Sequence, residues 1–275
     1  MEIEIHNKGE SSQMSRTTNS SLMNALQLLK CFTIDEPELT LTEIAERINV
    51  SKSTACRLIQ TLESEGFIHQ NLYFNTYSLG SSVLALSNTA IDQFAILKET
   101  TYFLKQLTIQ TGESSHIAIL DKSDVIYLKK EDSQHRVQLL SHIGRRNPAH
   151  CTASGQAILA FLKSATVEKI FEDGLAQMTK YSITDLSQLQ QTLAAAAQKG
   201  YAVSRGEFIE NIVSIGAPIF NEKHQVFASV SVAGPKNRML PNLQKIVDNV
   251  VHTSHNLTRY VQDHVKDVDI EAFIR

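Results

Sequence analysis

Cysteine is scarce in this 275-residue chain. Cys31, Cys56 and Cys151 lie far apart, and none stands in a C-x-x-C or Cys/His spacing suited to zinc. That excludes a disulfide framework or a compact zinc module as the organising principle, and structural, reduced thiols are the expectation. Long apolar runs are missing too. None approaches the ~20 residues a helix needs to cross a bilayer. The opening stretch, MEIEIHNKGESSQMSRTTNSS, has neither the basic nor the apolar region of a secretory leader. No membrane partner and a cytoplasmic location are therefore expected. Nor does one sign of charge dominate: 26 Lys and Arg against 29 Asp and Glu give a formal net charge of -3. Such a sum argues neither for nor against nucleic acid, because charge acts locally. No internal repeat is present, and no low-complexity block beyond the N-terminal tail.

What the chain does have is 42% hydrophobic and 20% charged residues, an ordinary globular balance, in a length that exceeds one typical domain. Two domains are expected. Residues 1–19 are polar and without period, and read as a disordered tail. Leu22, Ala25, Leu26, Leu29 and Phe32 form a first helical stripe, and Leu41, Ile44, Ala45 and Ile48 a second. A third helix after Ser51 carries Ala55, Leu58, Ile59 and Leu62 on one side and ends at Gly66, where a left-handed cap is wanted. FIHQ and TYSLG then flank NLYFN as a hairpin, so residues 20–80 read as a winged helix-turn-helix. Residues 81–111 return to helical character, with a break near Ile91-Asp92-Gln93, and read as linker helices. Beyond Gly112, SHIAIL and DVIYLK, then SIGAPIF and QVFASVSV, alternate around short turns, with helices between and after them; the last starts at about Pro241. Residues 112–275 are therefore an α+β domain with a mainly antiparallel sheet.

In a helix-turn-helix, a small residue lets the helices approach, a residue tolerant of left-handed geometry makes the turn, and the second helix projects a polar face. Ala45, Asn49 and the segment from Ser51 to Gln60 fill these roles. Ser51, Lys52, Ser53, Thr54, Arg57 and Gln60 are the candidate DNA-binding residues, able to donate to phosphates and to read base edges. Asn71 and Tyr73 in the wing are further candidates, although Leu72, Tyr73 and Phe74 could instead meet a partner subunit. The bland reading keeps Ser51 as an N-cap and leaves Lys52 and Arg57 solvated. Up to residue 90 the bases are outnumbered by acids, among them Glu36, Glu38, Glu43, Glu46, Glu63 and Glu65. Few phosphate contacts per copy imply weak non-specific binding and a dimer reading an inverted repeat, joined partly through the helix after Gly80.

Taken together, LTEIAERINVSKSTACRLIQTLESEGFI, YSLG, CTASGQAILA, GYAVSRGEF and GAPIFNEKHQVFASVSVAGPKNRM resemble, in this order, the isocitrate lyase regulator (IclR) type family of bacterial transcription factors, from about Ser20 to Tyr260. The resemblance implies a winged helix-turn-helix, a linker helix and a C-terminal GAF-like effector-binding domain, in a homodimer or dimer of dimers on operator DNA. It implies a small organic acid effector, often one from carbon catabolism. By motif, the family's pocket falls at Ala153, Ser154, Ser204, Ser214, Ser231 and Ala233, with Leu139 as an apolar wall. Ser204 stands where many members carry an acid, and Ala233 where a serine is common.

Read by chemistry alone, small residues before the apolar helix of CTASGQAILA could expose backbone N–H groups to an anion, and the strand serines add neutral donors and acceptors. Alternatively, Ser154 caps its helix and the serines serve local backbone groups. His150, Cys151, Ser154 and His116 supply nucleophile and base types but no ordered triad or G-x-S-x-G elbow, so no enzyme is expected. His150, Cys151, His116 and Glu207 match no compact metal spacing, and neither metal nor cofactor is expected. An alternative function is a small-molecule binding module whose helical head contacts protein rather than DNA.

Overall fold

A computed structural model of the chain describes residues 20–93, 96–135 and 139–264; the tail expected at 1–19 lies outside these residues. Two compact units divide between Ala90 and Ile91.

The first unit contains α1 (Ser20–Lys30), β1 (Leu39–Thr40), α2 (Leu41–Arg47), α3 (Lys52–Ser64), β2 (Ile68–Asn71), β3 (Thr76–Leu79) and most of α4 (Ser81–Gln93). Thr40 and Glu43 form a capping box that starts α2: Thr40 Oγ1 accepts from Glu43 N, and Glu43 Oε2 accepts from Thr40 N at 2.7 Å. Asn49 takes φ 52° between α2 and α3, the left-handed turn the sequence calls for, and Ala45 behind it is buried. Gly66 takes φ 73° just past α3, where a Cβ would be strained. Ile44, Ala45, Ile48, Ala55 and Ile59 close one core with Leu28, Phe32, Ile68 and Tyr77. The stripe expected in α1 is corrected in part: Phe32 is in the core and Leu29 packs against it, Leu28 joins them, and Leu22 and Leu26 are exposed with Met23. β2 and β3 pair antiparallel from Ile68↔Leu79 to Asn71↔Thr76, and β1 joins the far side of β3 to complete the wing sheet. α4 stays helical through Gln93, the last residue of the break expected there.

The second unit holds α5 (Ile96–Thr111), β4 (Ser114–Asp121), β5 (Asp124–Glu131), β6 (Arg146–Pro148), α6 (Ala153–Leu159), α7 (Ser164–Ile170), α8 (Leu186–Lys199), β7 (Ala202–Arg205), β8 (Ile212–Phe220), β9 (Val226–Pro235), α9 (Lys236–Met239) and α10 (Leu243–His264). Its strands make one six-stranded sheet, ordered β6-β5-β4-β9-β8-β7, with every neighbouring pair antiparallel. Period-two alternation sorts the side chains. Ile117, Ile119, Val213, Ile215, Val230 and Val232 meet α5 and α10 on one face. Ala118, Leu120 and Tyr127 meet α6, α7 and α8 on the other. The second face also carries His116, Ser214, Gly216 and Ser231, two residues removed from their apolar neighbours.

α5 departs from its reading as a linker. Leu104 and Leu107 are fully buried against the sheet, so this helix belongs to the core of the second unit. An amphipathic helix shows in sequence that it has a covered face, not what covers it. Leu107→Ala is therefore expected to destabilise the second unit by ~2–5 kcal/mol in urea unfolding. A solvated linker would leave the midpoint unmoved.

Candidate functional site

Two sites follow from these units, each described within its own unit. In the first, Ser51 is the N-cap of α3: its Oγ accepts from Thr54 N at 3.2 Å and lies 2.9 Å from the hydroxyls of Ser53 and Thr54. The capping role foreseen for Ser51 is thus real, and it draws Ser53 and Thr54 into a hydroxyl cluster at the helix start. Lys52, Ser53, Thr54, Arg57 and Gln60 are all exposed, while Ala55 and Ile59 are buried on the opposite side. Arg47 is occupied, with Nη2 on Glu36 Oε1 at 2.7 Å and Nη1 on Cys31 O at 3.0 Å. No carboxylate pairs with Lys52 or Arg57 among the described residues. Among the described lysines and arginines of the first unit, Lys52 and Arg57 on the outer face of α3 and Lys30 at the end of α1 are therefore left available.

The wing divides its two candidates. Asn71 Oδ1 accepts from Tyr73 N at 3.1 Å and Phe74 N at 3.3 Å, so this side chain organises the turn. Tyr73 projects from it, 88% exposed, beside Leu72 at 83%. Tyr73 and Phe74 pack edge to face at 4.9 Å, an arrangement that presents an uncharged aromatic tip.

In the second unit a cavity of ≈ 40 Å³ lies between the α6 face of the sheet and the loops around Leu139 and Phe208. Leu139, Ser154, Ser204, Ser214, Ser231 and Ala233 all line it. Ala153 does not: it contributes its backbone N–H, which donates to Ser214 Oγ at 3.4 Å. Gly216 makes this contact possible, because a Cβ there would stand 2.4 Å from Ala153 O. The cap of α6 is Thr152, whose Oγ1 accepts from Gly155 N at 3.1 Å; the capping role considered for Ser154 is therefore corrected. Ser154 instead donates to Ser231 Oγ at 2.8 Å across the cavity floor. Ser204 donates to Cys151 O at 2.9 Å.

Two of the first N–H donors of α6 are thus already spent, and the helix has seven residues. Anion binding through its end is weaker than the sequence suggests. No lysine or arginine is among the described residues lining the cavity. Ser214 and Ser231 each accept one bond and keep a hydroxyl hydrogen to give, which makes them the donors best placed for a carboxylate.

Sequence reasoning missed the opposite end, where His116, Tyr127, Ser141 and Asn147 line the same cavity. Burial lowers the pKa of His116 to about 3, which keeps the ring neutral, and its Nε2 lies 2.8 Å from Ser141 Oγ. Burial also raises the Tyr127 phenol. The available signal was the alternation in SSHIAIL, which sets His116 on the face of Ala118 and away from Ile117 and Ile119.

Behind the cavity, burial raises the Glu207 carboxyl to about 7 despite a hydrogen bond from Gln156. It also raises the Cys151 thiol to about 11, leaving it protonated and a poor nucleophile at neutral pH. His150 Nε2 donates to Ala176 O at 2.9 Å, so the histidine beside that thiol is engaged elsewhere. Among the described residues no group of three or more His, Cys, Asp or Glu side chains is disposed to hold a metal ion, and no helix is long and apolar enough to cross a membrane.

Comparison with known proteins bears on both units. The IclR helix-turn-helix domain matches residues 21–72, and the bacterial transcriptional regulator IclR C-terminal domain matches residues 88–259. The HTH-type transcriptional regulator KipR of Bacillus subtilis (strain 168) is 31% identical over 245 residues, covering 87% of this chain and 97% of KipR. The p-hydroxybenzoate hydroxylase transcriptional activator of Acinetobacter baylyi is 29% identical and covers 93% of this chain and 96% of its own. Among solved structures, an IclR transcriptional regulator from Alicyclobacillus acidocaldarius has a TM-score of 0.77 at 27% identity, covering 88% of this chain and 98% of that one.

Proposed function

Because the chain belongs to the IclR family of bacterial transcriptional regulators, and is therefore a DNA-binding regulator rather than an enzyme, we propose that a small organic acid held in the second unit adjusts its affinity for an operator. The observation that carries this reading is the cavity itself. Six of the seven residues expected at an effector site, all but Ala153, line one uncharged cavity, in a different unit from the exposed face of α3. Carboxylate oxygens at Ser214 and Ser231 would find hydroxyl donors without a formal counter-ion, and Leu139 would cover the apolar body. An acid seated there would meet the walls around Leu139 and Phe208, and a binding-linked change in their position is the local event a regulator can exploit.

At the operator, Lys52, Ser53, Thr54, Arg57 and Gln60 would enter the major groove, with Ser51 holding the helix start and Tyr73 reaching the neighbouring minor groove from the turn that Asn71 organises. The two cations on the outer face of α3 are few, and salt-dependent affinity built from them favours two copies on an inverted repeat. Exposed Leu22 and Leu26 on α1, and Leu84 and Leu86 on α4, offer apolar surface suited to a homodimer, which could pair again into a dimer of dimers. A carbon-catabolism operon as the target agrees with the p-hydroxybenzoate hydroxylase activator among its relatives.

A thermal-shift screen of sugar acids, keto acids and aromatic acids tests the reading. An acid that binds the folded state raises the melting temperature. By linkage the same acid changes the Kd for the chain's own promoter fragment by ~5- to 150-fold. Identical promoter affinity with and without every stabilising acid would remove the effector from the account. Ser214→Ala is expected to weaken the thermal response to that acid and, by leaving Ala153 N without its acceptor, to lower the melting temperature of the protein alone by a few degrees at most.

A further inference from the structure

The β4–β5 end of the cavity contains an acceptor with nothing to accept. Asn147, in β6, is 2% exposed and lines the cavity with His116, Tyr127 and Ser141. Its Nδ2 donates to Leu140 O at 2.7 Å. That bond fixes the amide, since only the nitrogen can face a carbonyl oxygen. The other branch, Oδ1, is buried and has no hydrogen-bond partner. Buried acceptors are almost always satisfied, so an orphan in a cavity wall signals a donor that arrives from elsewhere. His116 and Ser141 are occupied with each other at 2.8 Å, and the Tyr127 phenol engages Asn147 through the amide nitrogen, which leaves Oδ1 open.

Sheet register gives the distance from the carboxylate end. β8, β9 and β4 are successive neighbours, with Ser214 opposite Ala233 and His116 opposite Ser231. Two interstrand steps and a two-residue offset along β9 separate Ser214 from His116, roughly 12 Å between backbones. A ligand that reaches both ends therefore carries two polar groups separated by an apolar body.

We infer that Asn147 Oδ1 is the second anchor of the effector: it accepts a hydrogen bond from a hydroxyl on a small hydroxy acid whose carboxylate lies at Ser214 and Ser231. The inference rests on the effector reading of the cavity and adds to it the chemical class and the residue that selects it. The polar groups lining this end are uncharged, and Lys130 and Arg145 act on His116 and Tyr127 only from outside the lining, so a neutral hydroxyl supplies the missing hydrogen without the desolvation that a second carboxylate would suffer. Asn147 acts as a specificity residue, discriminating by the penalty of leaving its oxygen unpaired when the hydroxyl is absent.

Calorimetry on the full chain with matched acids tests this: 4-hydroxybenzoate and 3-hydroxybenzoate, each against benzoate. At least one hydroxy acid is expected to bind about tenfold or more tightly than its partner lacking the hydroxyl. If the preferred acid is 4-hydroxybenzoate, 4-methoxybenzoate, which keeps the oxygen and loses the donor, should fall to the level of benzoate or below. In Asn147→Ala the preference should vanish while the affinity for the unhydroxylated acid is retained, which also shows that the variant is folded. Should Asn147→Ala fail to fold, the matched acids on the unmodified chain decide the matter alone. Equal binding of both members of every pair would mean that water satisfies Asn147, and the inference falls while the effector reading stands. A preference that survives in Asn147→Ala overturns it as well. If no acid of the panel binds, the effector reading is refuted for this class of ligand and the inference goes with it.

Discussion

Replacing Arg57 by alanine is expected to weaken binding to operator DNA by roughly 5- to 150-fold, the ~1–3 kcal/mol that one good base contact carries. The thermal unfolding curve should stay where it is. Arg57 is exposed in the middle of α3, on the side opposite Ala55 and Ile59, and makes no ion pair with a described carboxylate. Truncating it leaves the core of the first unit untouched. Fluorescence anisotropy with a promoter fragment and a scrambled duplex separates the possibilities. Loss on the promoter alone assigns base reading to Arg57, and equal loss on both assigns phosphate contact. Lys52→Ala, at the helix start, should instead reduce the slope of log K against log salt by about one. Unchanged retention of DNA by both variants would favour a helical head that contacts protein.

The second large effect is expected at Gly216. A methyl group there would lie 2.4 Å from Ala153 O, 2.6 Å from Ala153 C and 3.0 Å from Ser154 N, all backbone atoms. A flexible side chain could turn aside from such an overlap, but the start of α6 cannot. Gly216→Ala should already force α6 off the sheet, and Gly216→Val more so, at ~3 kcal/mol or above. That is a large share of the ~5–15 kcal/mol that stabilises a typical fold. The shift would also part Ala153 N from Ser214 and Ser154 from Ser231, so the response to an effector should disappear along with the stability. Melting temperature and calorimetric titration of both variants provide the check. A Gly216→Ala protein that melts like the parent and still binds acid would show that α6 has room to move.

Legibility in the sequence followed the range of the interaction. The turn at Asn49, the cap at Ser51 and the polar face of α3 are local matters, decided by residues within a few positions of one another, and the sequence displays them directly. The direction faced by α1 is not local. Its stripe of Leu22, Ala25, Leu26, Leu29 and Phe32 has helical period, yet the core takes Leu28 and Phe32 and leaves Leu22 and Leu26 outside, a choice made by the placement of α2 and α3. α5 has the same ambiguity: its apolar side is plain, its partner sheet is not. The serines of the cavity were reached through resemblance to a family rather than through their own chemistry, since any single strand serine can equally serve its backbone. His116 was weighed only as a base or a metal ligand, and Asn147 not at all, because they meet at one cavity only once β5 is laid between β4 and β6, which the neighbours of neither residue announce.

The borders of the large sheet carry one further consequence. β6 has three residues, the last of them Pro148, and β7 has four. An unprotected sheet margin offers backbone groups on which a foreign chain can extend the ladder, the usual beginning of aggregation. Margins this brief, one of them ending in a residue that cannot donate, give little purchase for such growth. Both margins also carry part of the cavity wall, Asn147 on β6 and Ser204 on β7, so the brevity that discourages a foreign strand also shields the cavity from being drawn open at its ends.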